Sequence, residues 1–188
     1  IDEGVRQGYK EGYLRKSIVE DPLSRTNTKD NTPSIIHLKS VSGDKIKISL
    51  TAKGGGAENM SAIKMLAPAN GVEGIKQFII DTVKNAGANA CPPVIVGVGI
   101  GGTFEKAAIL AKESLLRELG SNNEDPFYDA LEKELLNTIN KLGTGPMGLG
   151  GKVTSLGVFI KTYPCHIASL PVAVNMQCHS ARHKSIEL

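Results

Sequence analysis

The fold of this chain is decided by the stretch from Cys165 to His183, which reads CHIASLPVAVNMQCHSARH. Its apolar run, Leu170 to Met176, predicts a buried strand with a Cys-His pair at either end. Thiols, imidazoles and a nearby arginine at the ends of a strand are typical of a metal-dependent site for an anion. The same pattern also fits a core strand with two buried cysteines, because free Cys is among the most buried residue types.

The composition indicates a globular domain. The chain has 188 residues, of which 40% are hydrophobic and 22% charged, enough to bury a core. A net charge of only +3, with 4% aromatics and no Trp, argues against nucleic-acid binding. No apolar run approaches the ~18 residues of a membrane-spanning helix. Three Cys without close pairs favour a reducing, cytoplasmic compartment over a disulfide framework.

Outward from the opening stretch, hydrophobic periodicity predicts an α+β fold. The segments 34–41 and 44–53 alternate around Ser42-Gly43 and predict a β-hairpin with one solvated face. Elsewhere the pattern predicts helices over 1–19, 71–87, 103–119 and 125–142, and strands over 94–98, 153–161 and 170–176. We therefore expect one mixed domain, residues 1–188, in which a β-hairpin and further strands pack with several helices.

Three glycine-rich segments, 53–60, 97–102 and 143–152, interrupt this pattern. In the first, three glycines follow Lys53; it can cradle a carboxylate or phosphate, or serve as a flexible turn. The second matches the dinucleotide-binding motif G-x-G-x-x-G, but no strand directly follows its helix, so close backbone packing explains the glycines better. We expect the three segments and the three Cys to converge on one pocket.

Two further positions carry candidate chemistry. Cys91 precedes two prolines, which place its thiol at the mouth of a strand, and proline follows ligating Cys residues in iron–sulfur proteins. Arg15 lies near the end of the first predicted helix. Most lone arginines are solvated surface charges, and the pattern around Arg15 alone does not separate that role from anion binding.

Five motifs are spaced along the chain: LRKS at 14–17, KGGGAENMS at 53–61, ACPPVIVGVGIGGT at 90–103, GPMGLGGK at 145–152 and HIASLPVAVNMQCHSAR at 166–182. Together they resemble the α subunit of iron–sulfur (class I) fumarases, and the resemblance extends over essentially the whole chain. Tartrate dehydratase α subunits are close relatives, and the Glu-Asn-Met-Ser sequence at 58–61 resembles the fumarase side of the family.

The resemblance implies reversible hydration of fumarate to malate, a step of the tricarboxylic acid cycle, by a [4Fe–4S] cluster held by three Cys. Cys91 and Cys178 match two of these ligands. The third belongs to an upstream Cys-Gln-Asp-Thr-Gly motif that this chain lacks, so the resemblance implies that the chain is N-terminally incomplete. A count of the cysteines alone would suggest Cys165 as the third ligand, but the resemblance does not support that assignment.

The resemblance also implies three contacts to a small dicarboxylate substrate: Arg15, Gly56 through its backbone, and His166, which could also transfer a proton. It assigns the catalytic base to a β subunit or C-terminal domain, so we expect this chain to be inactive alone.

Two alternatives stay open. One is the α subunit of a tartrate dehydratase. The other is a non-catalytic, zinc-stabilised binding domain that uses Cys91, Cys178 and either His179 or His183, since these two histidines are spaced for one helical face.

Overall fold

The computed structural model describes residues 1–188, which divide into two compact units, residues 1–44 and 45–188. The first unit contains one helix, α1 (Asp2–Glu11). This helix is shorter than predicted because Gly12 follows it and Tyr13 adopts a left-handed φ of 52°. The rest of the unit is held by polar contacts, among them Arg6 Nε to Asp30 Oδ2 at 2.8 Å. This hydrogen bond holds the pKa of Asp30 well below its usual range.

The second unit contains the remaining helices and all the strands. In chain order they are β1 (Lys47–Ala52), α2 (Gly55–Asn59), β2 (Ala62–Leu66), α3 (Gly71–Ala86), β3 (Val94–Gly101), α4 (Phe104–Ser114), α5 (Pro126–Asn140), β4 (Ser155–Tyr163), β5 (Leu170–Gln177) and β6 (Arg182–Glu187). Short 3₁₀ turns lie at Pro68–Asn70, Gly87–Ala90 and Pro146–Gly148.

A four-stranded mixed sheet forms the centre of this unit, in the order β2-β5-β3-β4. β3 and β4 are parallel, whereas β5 runs antiparallel to both β2 and β3. The main core contains apolar side chains of α3 and α5 together with the even-numbered positions of β3, β4 and β5. On the opposite face, α4 packs through Ala107 and Ala111 against Ala173. The predicted α+β class is confirmed.

The predicted β-hairpin is wrong. Residues 34–41 form no strand, and β1 pairs instead with β6 from the other end of the chain. Ile48 lies opposite Ile186, Ser49 Oγ hydrogen-bonds to Ser185 Oγ at 2.8 Å, and Lys45 forms an ion pair with Glu187. The alternation of β1 correctly indicated a strand, but alternation by itself does not specify which segment completes the sheet.

β3 explains the glycines of the G-x-G-x-x-G motif. All eight of its residues are buried, and α4 approaches it closely. A Cβ on Gly97 would collide with the carbonyl oxygen of Ala111, and one on Gly99 with that of Ala107. Most of the motif therefore lies within β3, where its glycines allow close packing of the strand against α4, as the sequence suggested.

The start of α5 agrees with the helix predicted from residue 125. Asp125 caps α5, its side chain accepting a 2.8 Å hydrogen bond from the backbone N–H of Phe127, and Pro126 occupies the first turn. No helix is both long enough and apolar enough to cross a lipid bilayer.

Candidate functional site

Cys91 and Cys178 lie at the same edge of the central sheet. Cys91 comes just before β3 begins and Cys178 follows the end of β5, and the antiparallel register sets Ile95 opposite Gln177. The backbone N–H of His179 donates to the carbonyl oxygen of Cys91 at 3.3 Å, and His179 Nδ1 lies 3.1 Å from the same oxygen. The fold thus brings together two cysteine-containing segments that are far apart in the sequence.

The first glycine-rich loop packs against both cysteine segments. A Cβ on Gly54 would lie 3.2 Å from Cys178 Sγ, so this loop runs directly beside the sulfur. A Cβ on Gly56 would lie 3.2 Å from the carbonyl oxygen of Asn89, in the turn that leads to Cys91. Side chains at these two positions would press on the thiol and on the turn, so the absence of Cβ atoms lets the loop pack closely against both cysteine segments.

The third glycine-rich segment reaches the same region. The backbone N–H of Met147 donates to the carbonyl oxygen of Pro92 at 2.8 Å, and a Cβ on Gly148 would lie 2.5 Å from that of Ala88. Of the three glycine-rich segments, 53–60 and 143–152 therefore converge near Cys91. The segment 97–102 does not, because it runs along β3 to the far edge of the sheet.

Cys91 has an unusual backbone conformation. Its φ of 54° and ψ of 65° lie in the left-handed region, which residues other than glycine rarely adopt. A 3.0 Å hydrogen bond from its N–H to the carbonyl oxygen of Ala88 helps to hold it there. Such conformations persist where the surroundings determine them strongly, and they cluster at functional sites.

A partly buried ion-pair network lies beside the first glycine loop. Glu58 Oε2 lies 2.9 Å from Lys53 Nζ, and Glu58 Oε1 lies 2.6 Å from Lys112 Nζ. The carboxamide of Asn175 donates to Glu58 Oε2 at 3.2 Å, and Lys53 also donates to the carbonyl oxygen of Met176. The network joins the loop, α4 and β5.

The contacts within this network shift the pKa values of Glu58 and Lys53. Burial raises the pKa of Glu58, but hydrogen bonds from Lys112 and Lys53 outweigh that effect and lower it to about 2. Burial lowers the pKa of Lys53, and the neighbouring Glu58 carboxylate opposes this shift. Sequence reasoning noticed the charge of Lys53 but missed its partners, because no spacing rule links a loop lysine to a lysine on α4.

His166 and Cys165 lie at the opposite edge of the sheet. They follow β4, whose last residue, Tyr163, pairs with Gly101 at the far end of β3. Between them and Cys178 runs β5, whose eight residues extend over about 26 Å at ~3.3 Å per residue. The ring nitrogen Nδ1 of His166 accepts from the N–H of Ala168 at 3.1 Å. The neutral ring therefore carries its proton on Nε2, at an exposed position.

Arg15 belongs to the first unit. It lies four residues beyond the end of α1, its side chain is exposed, and its Nε donates to Ser17 Oγ at 3.1 Å. The guanidinium nitrogens at its tip remain available for an anionic partner.

The donor set decides which metal groups the chain can hold. No group of three or more His, Cys, Asp or Glu side chains is arranged to bind a metal ion. The zinc alternative used either His179 or His183, whose spacing suits one helical face, but residues 182–187 form β6, and His183 Nε2 lies 3.2 Å from Glu118 Oε1.

Two thiols at one edge of a sheet do fit part of an iron–sulfur site. Gly54 lets the loop backbone pass close to Cys178 Sγ, since a Cβ at that position would lie 3.2 Å from the sulfur. A three-thiolate site needs one more ligand, and Cys165 lies at the wrong edge of the sheet to supply it.

Comparison with known proteins shows a matching family and similar relatives. Residues 1–187 match the family described as Fumarate hydratase (Fumerase). The chain is 49% identical over 187 residues to a putative L(+)-tartrate dehydratase subunit alpha of Methanocaldococcus jannaschii, covering 97% of this chain and 65% of that protein. It is 33% identical over 190 residues to the L(+)-tartrate dehydratase subunit alpha of Escherichia coli K12, covering 99% of this chain and 62% of that protein. The chain thus spans slightly less than two thirds of the length of these curated relatives.

Proposed function

Because the chain belongs to the Fumarate hydratase (Fumerase) family, we propose that residues 1–188 form catalytic-domain sequence from the α subunit of an iron–sulfur hydro-lyase. Such an enzyme adds or removes water across two adjacent carbons of a small dicarboxylate. The observation that carries the proposal is the meeting of Cys91, Cys178 and the glycine loop at one sheet edge.

The substrate we propose first is L(+)-tartrate. Two relatives at 49% and 33% identity bear that name. Fumarate, favoured by the Glu-Asn-Met-Ser sequence at 58–61 and by the family's description, is the second candidate. That sequence is a weak guide to substrate, because two of its residues are engaged in the fold. Glu58 pairs with two lysines, and Ser61 Oγ accepts from the N–H of Met176 at 3.0 Å.

The proposed cofactor is a [4Fe–4S] cluster. Cys91 and Cys178 would provide two thiolates, and the third would come from residues outside this chain. When bound, the cluster would supply an iron with a free coordination position, a Lewis acid toward hydroxyl and carboxylate oxygens. The exposed backbone of Gly56 would offer its N–H to the substrate where a side chain would obstruct it.

Arg15 and His166 complete the proposed substrate contacts. Arg15 would pair with one carboxylate through its planar guanidinium. The Nε2–H of His166 would donate to the substrate, but β5 separates this ring from Cys178 of the same chain. We therefore propose that His166 serves the site of a second copy of the chain.

The proposed partner is a β subunit or C-terminal domain. The relatives are named as alpha subunits, which implies a second component. Dehydration removes a hydroxyl from one carbon and a proton from its neighbour. We assign proton removal to the partner, because His179 Nδ1 lies against the carbonyl oxygen of Cys91 and the Glu58 carboxylate is held by two lysines.

The complete subunit pair, reconstituted anaerobically, tests the proposal. We expect dehydration of L(+)-tartrate with a kcat/KM above that for fumarate hydration. Preferential turnover of fumarate would establish the second candidate instead. If neither compound reacts while the protein contains iron, the proposed reaction is wrong.

A further inference from the structure

Lys53 lies where the glycine loop meets the strand that carries Cys178. The residue directly after it, Gly54, packs against Cys178 Sγ. The Lys53 ammonium group itself donates to the carbonyl oxygen of Met176, two residues before Cys178. Since Met176 is fully buried at the end of β5, this hydrogen bond ties the loop to the strand end.

The burial of Lys53 is unusual for a lysine. Only 16% of its side chain is exposed, and a buried ammonium group is costly unless it is paired and hydrogen-bonded. Its acceptors are the carbonyl oxygen of Met176 and one carboxylate oxygen of Glu58. The fold therefore maintains a cation in a place where an apolar side chain would pack without this cost.

The network around Lys53 has an excess of positive charge. Glu58 is shared between Lys53 and Lys112, so one carboxylate faces two ammonium groups. The other polar side chains on the adjacent face of β5, those of Asn175 and Gln177, are uncharged carboxamides. The three charged groups thus sum to one unit of positive charge, and they lie next to the loop whose Gly54 packs against Cys178 Sγ.

We propose that Lys53 is a positioning residue of the site: its ammonium group holds the end of β5 in place and supplies a positive charge beside the Cys178 sulfur. The inference rests on the proposed function, in which Cys178 is a thiolate ligand. A cation at this point stabilises negative charge on the sulfur and on the group it binds. The reduction potential of a Cys-bound cluster depends on nearby charge, so Lys53 raises that potential.

The experiment is a redox titration of the complete α subunit assembled with its β partner, monitored by electron paramagnetic resonance. Lys53→Met keeps the length of the side chain but removes the charge. It should make the reduction potential more negative by about 59 mV, which corresponds to a tenfold change in the one-electron equilibrium constant. Lys53→Arg keeps the charge and should restore most of the wild-type potential.

Lys76→Met is the matched control. Lys76 is similarly buried, with 19% of its side chain exposed, and it pairs with Glu73 at 3.0 Å and Glu134 at 2.8 Å. It lies on α3, away from the cysteine segments. Its replacement should lower the melting temperature and leave the potential unchanged.

Glu58→Gln tests the sign of the effect independently of Lys53→Met, should the latter not fold. It removes the negative member of the network and should make the potential more positive. A wild-type potential in both Lys53→Met and Glu58→Gln, or shifts of the same sign, would overturn the inference. Failure of the wild-type complex to bind iron would instead contradict the proposed function, so the two failures are distinguishable.

Discussion

At the scale of single residues, the two cysteines at one sheet edge differ from the third in their surroundings. Cys91 and Cys178 are partly buried and enclosed by glycine-rich backbone, whereas Cys165 is exposed and its Sγ lies 3.4 Å from the carbonyl oxygen of Ser169. Packing alone therefore distinguishes two candidate ligands from one surface thiol.

Replacing each cysteine with serine tests this distinction. In the complete enzyme, Cys91→Ser and Cys178→Ser should each lose most bound iron and most activity, because a serine hydroxyl does not replace a thiolate ligand. Cys165→Ser should keep both. Iron analysis and visible absorption after anaerobic reconstitution measure the result. Intact iron content in Cys91→Ser would remove that residue from the site.

Arg15 is the proposed contact whose surface role is hardest to distinguish from a functional one. If it clamps a substrate carboxylate, Arg15→Lys in the complete enzyme should lose roughly 1–3 kcal/mol of transition-state binding, since lysine lacks the planar fork. Iron content should not change, because Arg15 is exposed. Steady-state kinetics decide the matter, and an unchanged kcat/KM would leave Arg15 a surface charge.

The lowered pKa of Glu58 predicts that the free energy of unfolding depends on pH. Its pKa falls from 4.5 to about 2 on folding, so its ionised form stabilises the native state above pH ~4.5, and this contribution disappears as the pH falls toward 2. Glu58→Gln should therefore be less stable than wild type at pH 7, with a difference that narrows below pH ~4.5. Urea unfolding of both proteins between pH 7 and about pH 3 measures this difference in the free energy of unfolding. Glu124→Gln, at an exposed position, controls for the change in net charge, and a constant Glu58→Gln difference would contradict the prediction.

At the scale of elements, the contact between β3 and α4 depends on the absence of side chains. Gly97 and Gly99 allow the helix backbone to lie directly on the strand, and Ala107 and Ala111 keep the facing surface of the helix small. This close approach supports β3, whose first residues follow Cys91. It therefore helps to hold in position the sheet edge where Cys91 and Cys178 lie.

A single methyl group should disturb that contact. Gly99→Ala places a Cβ against the carbonyl oxygen of Ala107 and within 2.6 Å of the backbone nitrogen of Ala111. We expect a loss of about 1–3 kcal/mol in the free energy of unfolding, typical of an overfilled core. Gly8→Ala is the control, because nothing lies within 4 Å of its added Cβ. Equal stability of Gly99→Ala and wild type in urea unfolding would show that α4 can move away freely.

At the scale of the whole molecule, the chain supplies two suitably placed thiols and no complete set of metal ligands. Anaerobic reconstitution of the 188-residue chain alone should therefore give no stable cluster and no turnover of L(+)-tartrate or fumarate. Adding the rest of the α subunit and the β subunit should restore both. Turnover by the isolated chain would show that the additional ligand and the partner's base are dispensable.

The sequence by itself determined the elements whose pattern is local. Apolar runs predicted β3 and β5, hydrophobic periodicity predicted a helix that begins at residue 125, and a set of spaced motifs led to the correct family. These features depend on neighbouring residues or on the order of motifs, so they can be recognised without knowing which segments meet.

Only the tertiary structure decided which segments meet. The pairing of β1 with β6, the meeting of Cys91 with Cys178, and the separation of His166 from both follow from the strand order. Period-two alternation specifies the faces of a strand but not its neighbour. The sharing of Glu58 by Lys53 and Lys112 likewise depends on burial, since the strength of an ion pair is set by the surroundings that the fold creates.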